Sequence, residues 1–325
     1  MKALVCETLE GPEKLVLKDI DKPTLKKGHV LIEVKAASLN FPDVLITQGK
    51  YQIKPDLPFI PGGEAAGVVA ELGDGVTNLS VGDRVLFTGS HGAFAEYAVI
   101  PAQLAMPIPD DMDFKSAAAL TITYATSYHA LKQRASLQAG ETVAVLGAAG
   151  GVGYAAIELA KAMGANVIAC ASSAKKLEVC KEAGADELLD YDEEDLKDGL
   201  KKLAPKGVDV IYDPVGGRFS EAALRAIGVN GRHLVIGFAA GDIPKMPLNL
   251  TLLKQCQIVG VFWGAWAMAN PAGQVANMND LFDMFKKGQI KPRVEDSFKM
   301  ADYEEAYACL TERRVRGKAV FEIGS

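Results

Sequence analysis

The chain lacks any close pairing of cysteines. Cys6, Cys170, Cys180, Cys256 and Cys309 are odd in number, far apart and form no CxxC. That spacing argues against a disulfide framework and a clustered thiolate zinc site, and it points to a reducing compartment, the cytoplasm. Long apolar runs are missing too. The most apolar stretch, residues 258–269, is shorter than a membrane span and carries both tryptophans, Trp263 and Trp266. The amino terminus reads Met-Lys-Ala-Leu-Val-Cys and meets charge at Glu7, so a first strand is expected there and not a secretion signal. No basic excess exists: 35 Lys plus Arg against 41 Asp plus Glu leave a formal net charge of −6. A nucleic-acid partner is therefore not expected, although a locally basic pocket for a phosphorylated cofactor stays compatible with that balance.

What is present is an ordinary folded composition, 49% hydrophobic and 23% charged over 325 residues. Length alone suggests about two domains. Residues 30–36, 67–73, 81–87 and 94–100 are short strand candidates punctuated by Gly, Pro and Asp. They predict a compact, mainly antiparallel, barrel-like domain. The pattern changes near Ser116. Residues 116–120 and 126–137 read as helical. Beyond them, strands at 142–146, 166–170, 208–212 and 231–237 alternate with helices at 151–163, 175–182 and 219–226. That alternation predicts a doubly wound parallel α/β sheet. Helix candidates at 275–286 and 303–311 and a closing strand at 317–323 make a tail too thin for a domain of its own. The expected organisation is a catalytic domain beginning at 1–124, a dinucleotide-binding domain at 125–264, and a return at 265–325 that completes the first.

The central motif is Val143-Ala144-Val145-Leu146-Gly147-Ala148-Ala149-Gly150-Gly151-Val152-Gly153. It follows a buried strand and opens a helix, the context a dinucleotide loop requires. In the GxGxxG frame Ala148 replaces the first glycine, while Gly150 and Gly153 fit. Gly150 lets the backbone approach a pyrophosphate, and Gly153 lets the helix pack on the sheet. Free N–H groups and the positive dipole end of the helix face the phosphates. An NAD site would place an acid about 20 residues on, at the ribose hydroxyls. Counting 19 from Gly153 reaches Ser172, in Cys170-Ala171-Ser172-Ser173-Ala174-Lys175-Lys176, which has no acid. Hydroxyls and ammonium groups pair with a 2′-phosphate that a carboxylate would repel. NADPH is therefore favoured, with Lys176 as the main partner and Ser172 or Ser173 assisting. The competing account is that Lys175 and Lys176 solubilise a helix turn.

Together these residues resemble the medium-chain dehydrogenase/reductase superfamily, in its zinc-independent, zeta-crystallin-like quinone oxidoreductase branch. The resemblance spans essentially the whole chain. It is carried by Asn40-Phe41-Pro42-Asp43, Gly62-Gly63-Glu64-Ala65-Ala66-Gly67, Thr126-Ser127-Tyr128-His129-Ala130-Leu131, Ala148-Ala149-Gly150-Gly151-Val152-Gly153 and Arg316-Gly317-Lys318. It implies a Rossmann domain and a split, GroES-like catalytic domain with a cleft between them. It also implies NADPH-dependent reduction of a quinone or an activated, conjugated carbonyl, and a homodimer paired along a Rossmann-sheet edge near residues 257–263. Zinc-dependent relatives carry Gly-His-Glu with a ligating histidine; here that position is Gly63, and Ser38-Leu39-Asn40 stands where their early cysteine would be. Without three protein ligands a zinc centre is not expected, and Glu64 is left as a group that orders the cleft.

The resemblance also suggests roles. Asn40 and Thr126 lie near the nicotinamide; the alternatives are an Asx-turn before Pro42 and a helix cap at Thr126. Tyr51 matches a tyrosine beside the substrate in enoyl-thioester reductases, where a phenol can give a proton to a developing enolate; it can equally be a partly polar core aromatic. Tyr191 lines the adenosine-phosphate side or is a surface aromatic. Gly237 and Phe238 offer backbone to the carboxamide. Phe262 and Trp263 wall the substrate slot or pack a dimer, and Lys318 faces the cofactor or solubilises an edge strand. The Asp213-Pro214-Val215-Gly216-Gly217 turn needs no catalytic role. His129 reads as packing, His91 as part of an exposed turn, and no hydrolase triad is evident. Three functions compete: an NADPH:quinone oxidoreductase, an NADPH-dependent 2-enoyl thioester (CoA or acyl-carrier) reductase, and a non-catalytic NADPH-binding sensor or structural protein.

Overall fold

The computed structural model describes residues 1–324. It comprises two compact units, one formed by Met1–Ile122 with the chain from Pro292 onward, the other by Thr123–Lys291.

The first unit is built on a seven-stranded sheet. Its centre is the long strand His29–Ser38, which pairs antiparallel with Glu64–Leu72, Tyr97–Pro101 and Lys318–Glu322. Arg84–Thr88 and Ala105–Pro107 extend it on one side. Val294–Lys299 closes the other edge and runs parallel to Lys318–Glu322, the one departure from the antiparallel expectation in this sheet. Strand Lys2–Val5 pairs separately with Val16–Asp19. Leu4, Ile32, Phe87, Phe94 and Phe321 are buried together. Phe94 meets Phe321 and Tyr307 edge-on, at centroid distances of 5.0 and 6.5 Å. Aromatic burial of this kind dominates core energetics, and it ties the returning carboxyl-terminal segment into the core of the amino-terminal one. The short helix Phe41–Thr47 was not legible as a helix. Its Asn-Phe-Pro-Asp opening looks like a turn, yet a proline in the first turn suits a helix start.

The second unit holds a six-stranded parallel sheet in the order Glu187–Asp190, Asn166–Ala171, Thr142–Leu146, Val208–Asp213, Ile227–Val235, Gln257–Gly260. Thr142–Leu146 is the first of these strands in the chain and lies in the middle. The strand order therefore reverses between it and Val208–Asp213, which is where open α/β sheets bind ligands. The Gly151–Ala162 helix is buried through Ala155, Ala156, Ile157, Leu159 and Ala160; small residues let it lie close to the sheet. Three expectations change. Residues 265–291, expected in the return to the first unit, fall in the second. Residues 126–137 are α-helical only over Thr126–His129, with π-helical turns at Thr121–Ala125 and Ala130–Arg134. The strand expected from 231 begins at Ile227. Asn230-Gly231 reads as a turn, but Asn230 takes φ 60° and the strand carries an irregularity there instead of ending.

Candidate active site

In the second unit the glycine loop joins strand Thr142–Leu146 to helix Gly151–Ala162. Gly147 has φ +56°, and a Cβ there would come within 2.8 Å of Val215, so the loop needs glycine at that point. A Cβ on Gly153 would meet Gly147 O at 2.5 Å and the Ala148 Cα at 2.8 Å. The third glycine of the motif is therefore a packing glycine. Gly150 differs, since a Cβ there meets nothing closer than Gly147 O at 3.4 Å. Internal packing does not demand glycine at 150; a ligand approaching the backbone would. Gly150 occupies the N-cap without a side-chain cap, which leaves amide donors of the first turn for an anion. Ala148 N donates to Cys170 O (3.1 Å), tying the loop to the end of the neighbouring strand.

That neighbouring strand ends at Ala171 and is followed by Ser172, Ser173 and the helix Ala174–Glu182. Lys176 Nζ donates to Ser172 Oγ at 2.9 Å. The ammonium and hydroxyl thus stand together just beyond the end of the strand, with Ser173 at the helix N-cap. Tyr191 follows the next strand; its N–H donates to Ala171 O (3.1 Å) and its ring packs against Phe219 at 4.7 Å. Across the switch point, Asp213 accepts from Val215 N and Gly216 N (both 2.9 Å), from Ser220 Oγ (2.5 Å) and from His233 Nε2 (3.1 Å). Burial alone would push the Asp213 carboxyl up. The His233 ring with the Gly216 amide and the Ser220 hydroxyl outweighs burial and holds it below its ordinary value. These hydrogen bonds fix the turn, for which the sequence called for no catalytic role.

Thr126 is half-buried at the start of Thr126–His129; the N-cap there is Ala125 and no side chain caps it, so the capping alternative is not realised. Gly237 is half-buried and Phe238 exposed, with the Phe238 ring over Gly216. Phe262 is exposed, while Trp263 Nε1 donates to Gln274 Oε1 at 2.9 Å. His129 stacks on Trp266 at 4.4 Å and pairs with Gln133, which is packing. His91 is exposed beside Ser90.

The first unit contains a buried polar cluster whose extent was not legible in the sequence. Lys318 Nζ donates to Asn40 Oδ1 (2.6 Å), Glu64 Oε1 (3.0 Å) and Leu39 O (3.0 Å). Asn40 Nδ2 donates to the same Glu64 oxygen (2.9 Å) and to Ser38 O (3.3 Å). The other Glu64 oxygen accepts Ile122 N at 2.7 Å. Asn40 N donates to Asp43 Oδ2 at 2.8 Å. All four side chains are buried. Asn40 thus opens the helix Phe41–Thr47 as its N-cap while its carboxamide joins this cluster, and Lys318 is no edge-strand solubiliser. Burial pushes the Asp43 carboxyl up to about 7, against the opposing pull of the Asn40 amide and the Lys318 ammonium. Tyr51 is half-buried against this core, and burial with the nearby Asp43 charge raises its phenol above the ordinary value. A Cβ at Gly63 would lie 3.9 Å from Asp43 Oδ1, so position 63 borders the cluster without offering a donor. Among the described residues no three His, Cys, Asp or Glu side chains are grouped to hold a metal ion. The ammonium of Lys318 meets Glu64 instead, and this donor set does not suit zinc.

The chain belongs to the medium-chain dehydrogenase/reductase family, in its zinc-independent quinone oxidoreductase branch. Residues 26–110 match the alcohol dehydrogenase GroES-like domain, and residues 151–281 match the domain described as zinc-binding dehydrogenase. A quinone oxidoreductase-like protein 2 homolog of Nematostella vectensis is 40% identical over 324 residues, covering 98% of this chain and 88% of that protein. Two solved relatives share the fold over the full length. The Escherichia coli quinone oxidoreductase complexed with NADPH is 28% identical, covers 99% of this chain and 100% of its own, and superposes with a TM-score of 0.91. The Thermus thermophilus quinone oxidoreductase, also described with NADPH, is 31% identical with a TM-score of 0.85, covering 99% of this chain and 100% of its own. No helix among the described residues is long and apolar enough to cross a membrane.

Proposed function

We propose that the protein is an NADPH-dependent oxidoreductase that reduces a small quinone or an activated conjugated carbonyl without zinc. The observation that carries the cofactor choice is the Ser172–Lys176 pair at 2.9 Å, with no acid between Ala171 and Lys176. In this reading the backbone of Ala148, Ala149, Gly150, Gly151 and Val152 takes the pyrophosphate. Ser172, Ser173 and Lys176 take the 2′-phosphate, and Tyr191 borders the adenosine. Backbone at Gly237 and Phe238, with Phe262 and Trp263, serves the carboxamide side, and Thr126 anchors the ring or its ribose. When bound, NADPH supplies a hydride to an electron-poor carbon. Lys318 neutralises Glu64 and holds the Asn40 carboxamide in one orientation, which suits a group that must position a ring or a substrate oxygen. Tyr51, with its raised phenol pKa, keeps its proton at neutral pH and can donate it to a developing oxyanion. That feature favours the second reading, a 2-enoyl thioester reductase. A quinone draws its protons from water and needs no such acid.

Leu248, Leu252, Leu253, Phe262 and Met268 are all more than half exposed beside the edge strand Gln257–Gly260. Exposed apolar residues in the segments flanking an open edge strand suit an interface, and this supports a homodimer through that edge. The five cysteines are free and buried, which supports the cytoplasm as location. The function is tested by NADPH oxidation across quinones, simple enones and enoyl thioesters with product identification. Turnover of quinones or enones supports the proposal. Enoyl thioester reduction lost in Tyr51→Phe while quinone turnover persists selects the second reading. Tight NADPH binding with no oxidation by any of them selects a sensor or structural role.

A further inference from the structure

Glu158 lies on the helix that follows the glycine loop, yet no cofactor contact is assigned to it. It is buried, 7% exposed, and its carboxylate is fully engaged. Tyr124 OH donates to Oε2 at 2.5 Å, and Lys291 N donates to both oxygens at 3.1 Å. The chain enters the second unit at Thr123 and leaves it at Lys291. One carboxylate therefore holds the second and the last residues of that unit. Burial pushes it up to about 7 in spite of the Tyr124 hydrogen bond. So a desolvated acid is kept where an apolar side chain would pack with less penalty.

A second stitch joins the entering segment to the same helix nearer its amino-terminal end. Ser127 Oγ donates to Val152 O at 3.0 Å, and since that uses its only proton, Tyr212 OH must donate to Ser127 Oγ across their 2.8 Å contact. Val152 and Glu158 are six residues apart, about 9 Å along the helix. Two anchors at that separation fix both the place and the direction of the entering segment. Thr126 falls between them in the chain, next to the wide π-helical turn Thr121–Ala125. A turn of that kind, closed by i→i+5 hydrogen bonds, is rare and is found mostly as a single widened turn within an α-helix.

We propose that Glu158 is a positioning residue: with Ser127 it clasps the Tyr124–Ser127 segment and the Lys291 end of the unit to the Gly151–Ala162 helix, so that Thr126 is held in fixed relation to the glycine loop. The inference rests on the reading that Thr126 and the loop serve two parts of one cofactor. The clasp acts through hydrogen bonds to a single carboxylate, so an apolar residue of similar size breaks both ends of it. Glutamine keeps one acceptor and one group able to pair with the phenol.

The test compares Glu158→Leu, Glu158→Gln and Tyr124→Phe in the full-length protein. Amide exchange on the unliganded protein reads the clasp directly. Glu158→Leu speeds exchange at both 121–127 and 288–291, Tyr124→Phe at 121–127 alone, and Glu158→Gln at neither. With NADPH and 1,4-benzoquinone as probes, Glu158→Leu lowers kcat by about tenfold or more through misplacement. NADPH affinity moves less than about threefold, because Ser172 and Lys176 are untouched. Glu158→Gln restores kcat. Should Glu158→Leu not fold, Tyr124→Phe, which removes one hydroxyl, carries the comparison with the same drop in kcat at unchanged affinity. Unchanged exchange at both segments in the leucine variant, kcat within twofold of the parent, or a loss of kcat matched by an equal loss of affinity overturns the proposal. A parent protein with no NADPH affinity overturns the proposed function, and the exchange pattern then still decides the clasp.

Discussion

Replacing Lys318 by methionine is the sharpest single perturbation of the first unit. The change keeps most of the side chain's volume and removes only the ammonium. Three acceptors lose their donor: Leu39 O, Asn40 Oδ1 and Glu64 Oε1, at 3.0, 2.6 and 3.0 Å. Glu64 has no accessible surface and keeps only the neutral donors Asn40 Nδ2 and Ile122 N. Breaking a buried ion pair by removing one partner costs about 3–5 kcal/mol, because the remaining charge stays desolvated. The loss is confined to one unit. Both tryptophans lie in the other, so intrinsic fluorescence follows the second unit while far-UV circular dichroism follows both. Urea unfolding of Lys318→Met is expected to show an earlier transition in circular dichroism with the fluorescence midpoint nearly unmoved. Adding Glu64→Gln to the same chain removes the stranded charge and recovers most of the loss. A Lys318→Met protein within about 1 kcal/mol of the parent, the range of an exposed ion pair, would falsify the reading of this cluster as a buried, mutually dependent unit.

Three further outcomes follow from the same geometry. Gly153→Ala forces a Cβ to within 2.5 Å of Gly147 O; it is expected to cost about 1–3 kcal/mol by overpacking, whereas Gly150→Ala spares stability and weakens NADPH binding in a fluorescence titration. The Asp43 carboxyl is raised from 3.8 to about 7 in the folded protein, so its contribution to stability is full below pH 4 and is lost as pH rises through about 7. The ionised form costs about 4 kcal/mol at most, and Asp43→Asn, which keeps an acceptor for Asn40 N, is expected to flatten unfolding free energy measured between pH 5 and 8. Leu252→Asp with Leu253→Asp places charge on the exposed strip beside Gln257–Gly260 and is expected to give a monomer by light scattering; an unchanged assembly removes that edge as the interface.

Much of the second unit was legible because its signals are local. Thr142–Leu146 is a short apolar run bounded by a turn and a glycine loop, and the structure begins and ends the strand at those residues. Gly153 is a packing glycine, as its spacing suggested, while internal packing leaves room for a side chain at Gly150. The π-helical turns around 121–134 were hidden because the side-chain pattern of a widened turn resembles that of a helix. The first unit's site was only half legible. Asn40 and Lys318 stood out singly, but their pairing joins positions 278 residues apart, and nothing local announces it. Asp43 and the short helix it opens were masked by turn-forming neighbours. Glu158 gave no signal, since a glutamate in an alanine-rich helix reads as a solvated face until Tyr124 and Lys291 are seen upon it.

The most direct test of the account is a calorimetric titration of the parent protein and of Lys176→Ala with NADPH and with NADH. The parent is expected to bind NADPH tenfold or more above NADH, about 1.4 kcal/mol, and the alanine variant to lose that preference by weakening NADPH alone. Equal affinity of the parent for both nucleotides, or a Lys176→Ala protein that keeps its preference, would contradict the placement of the 2′-phosphate and with it the proposed cofactor.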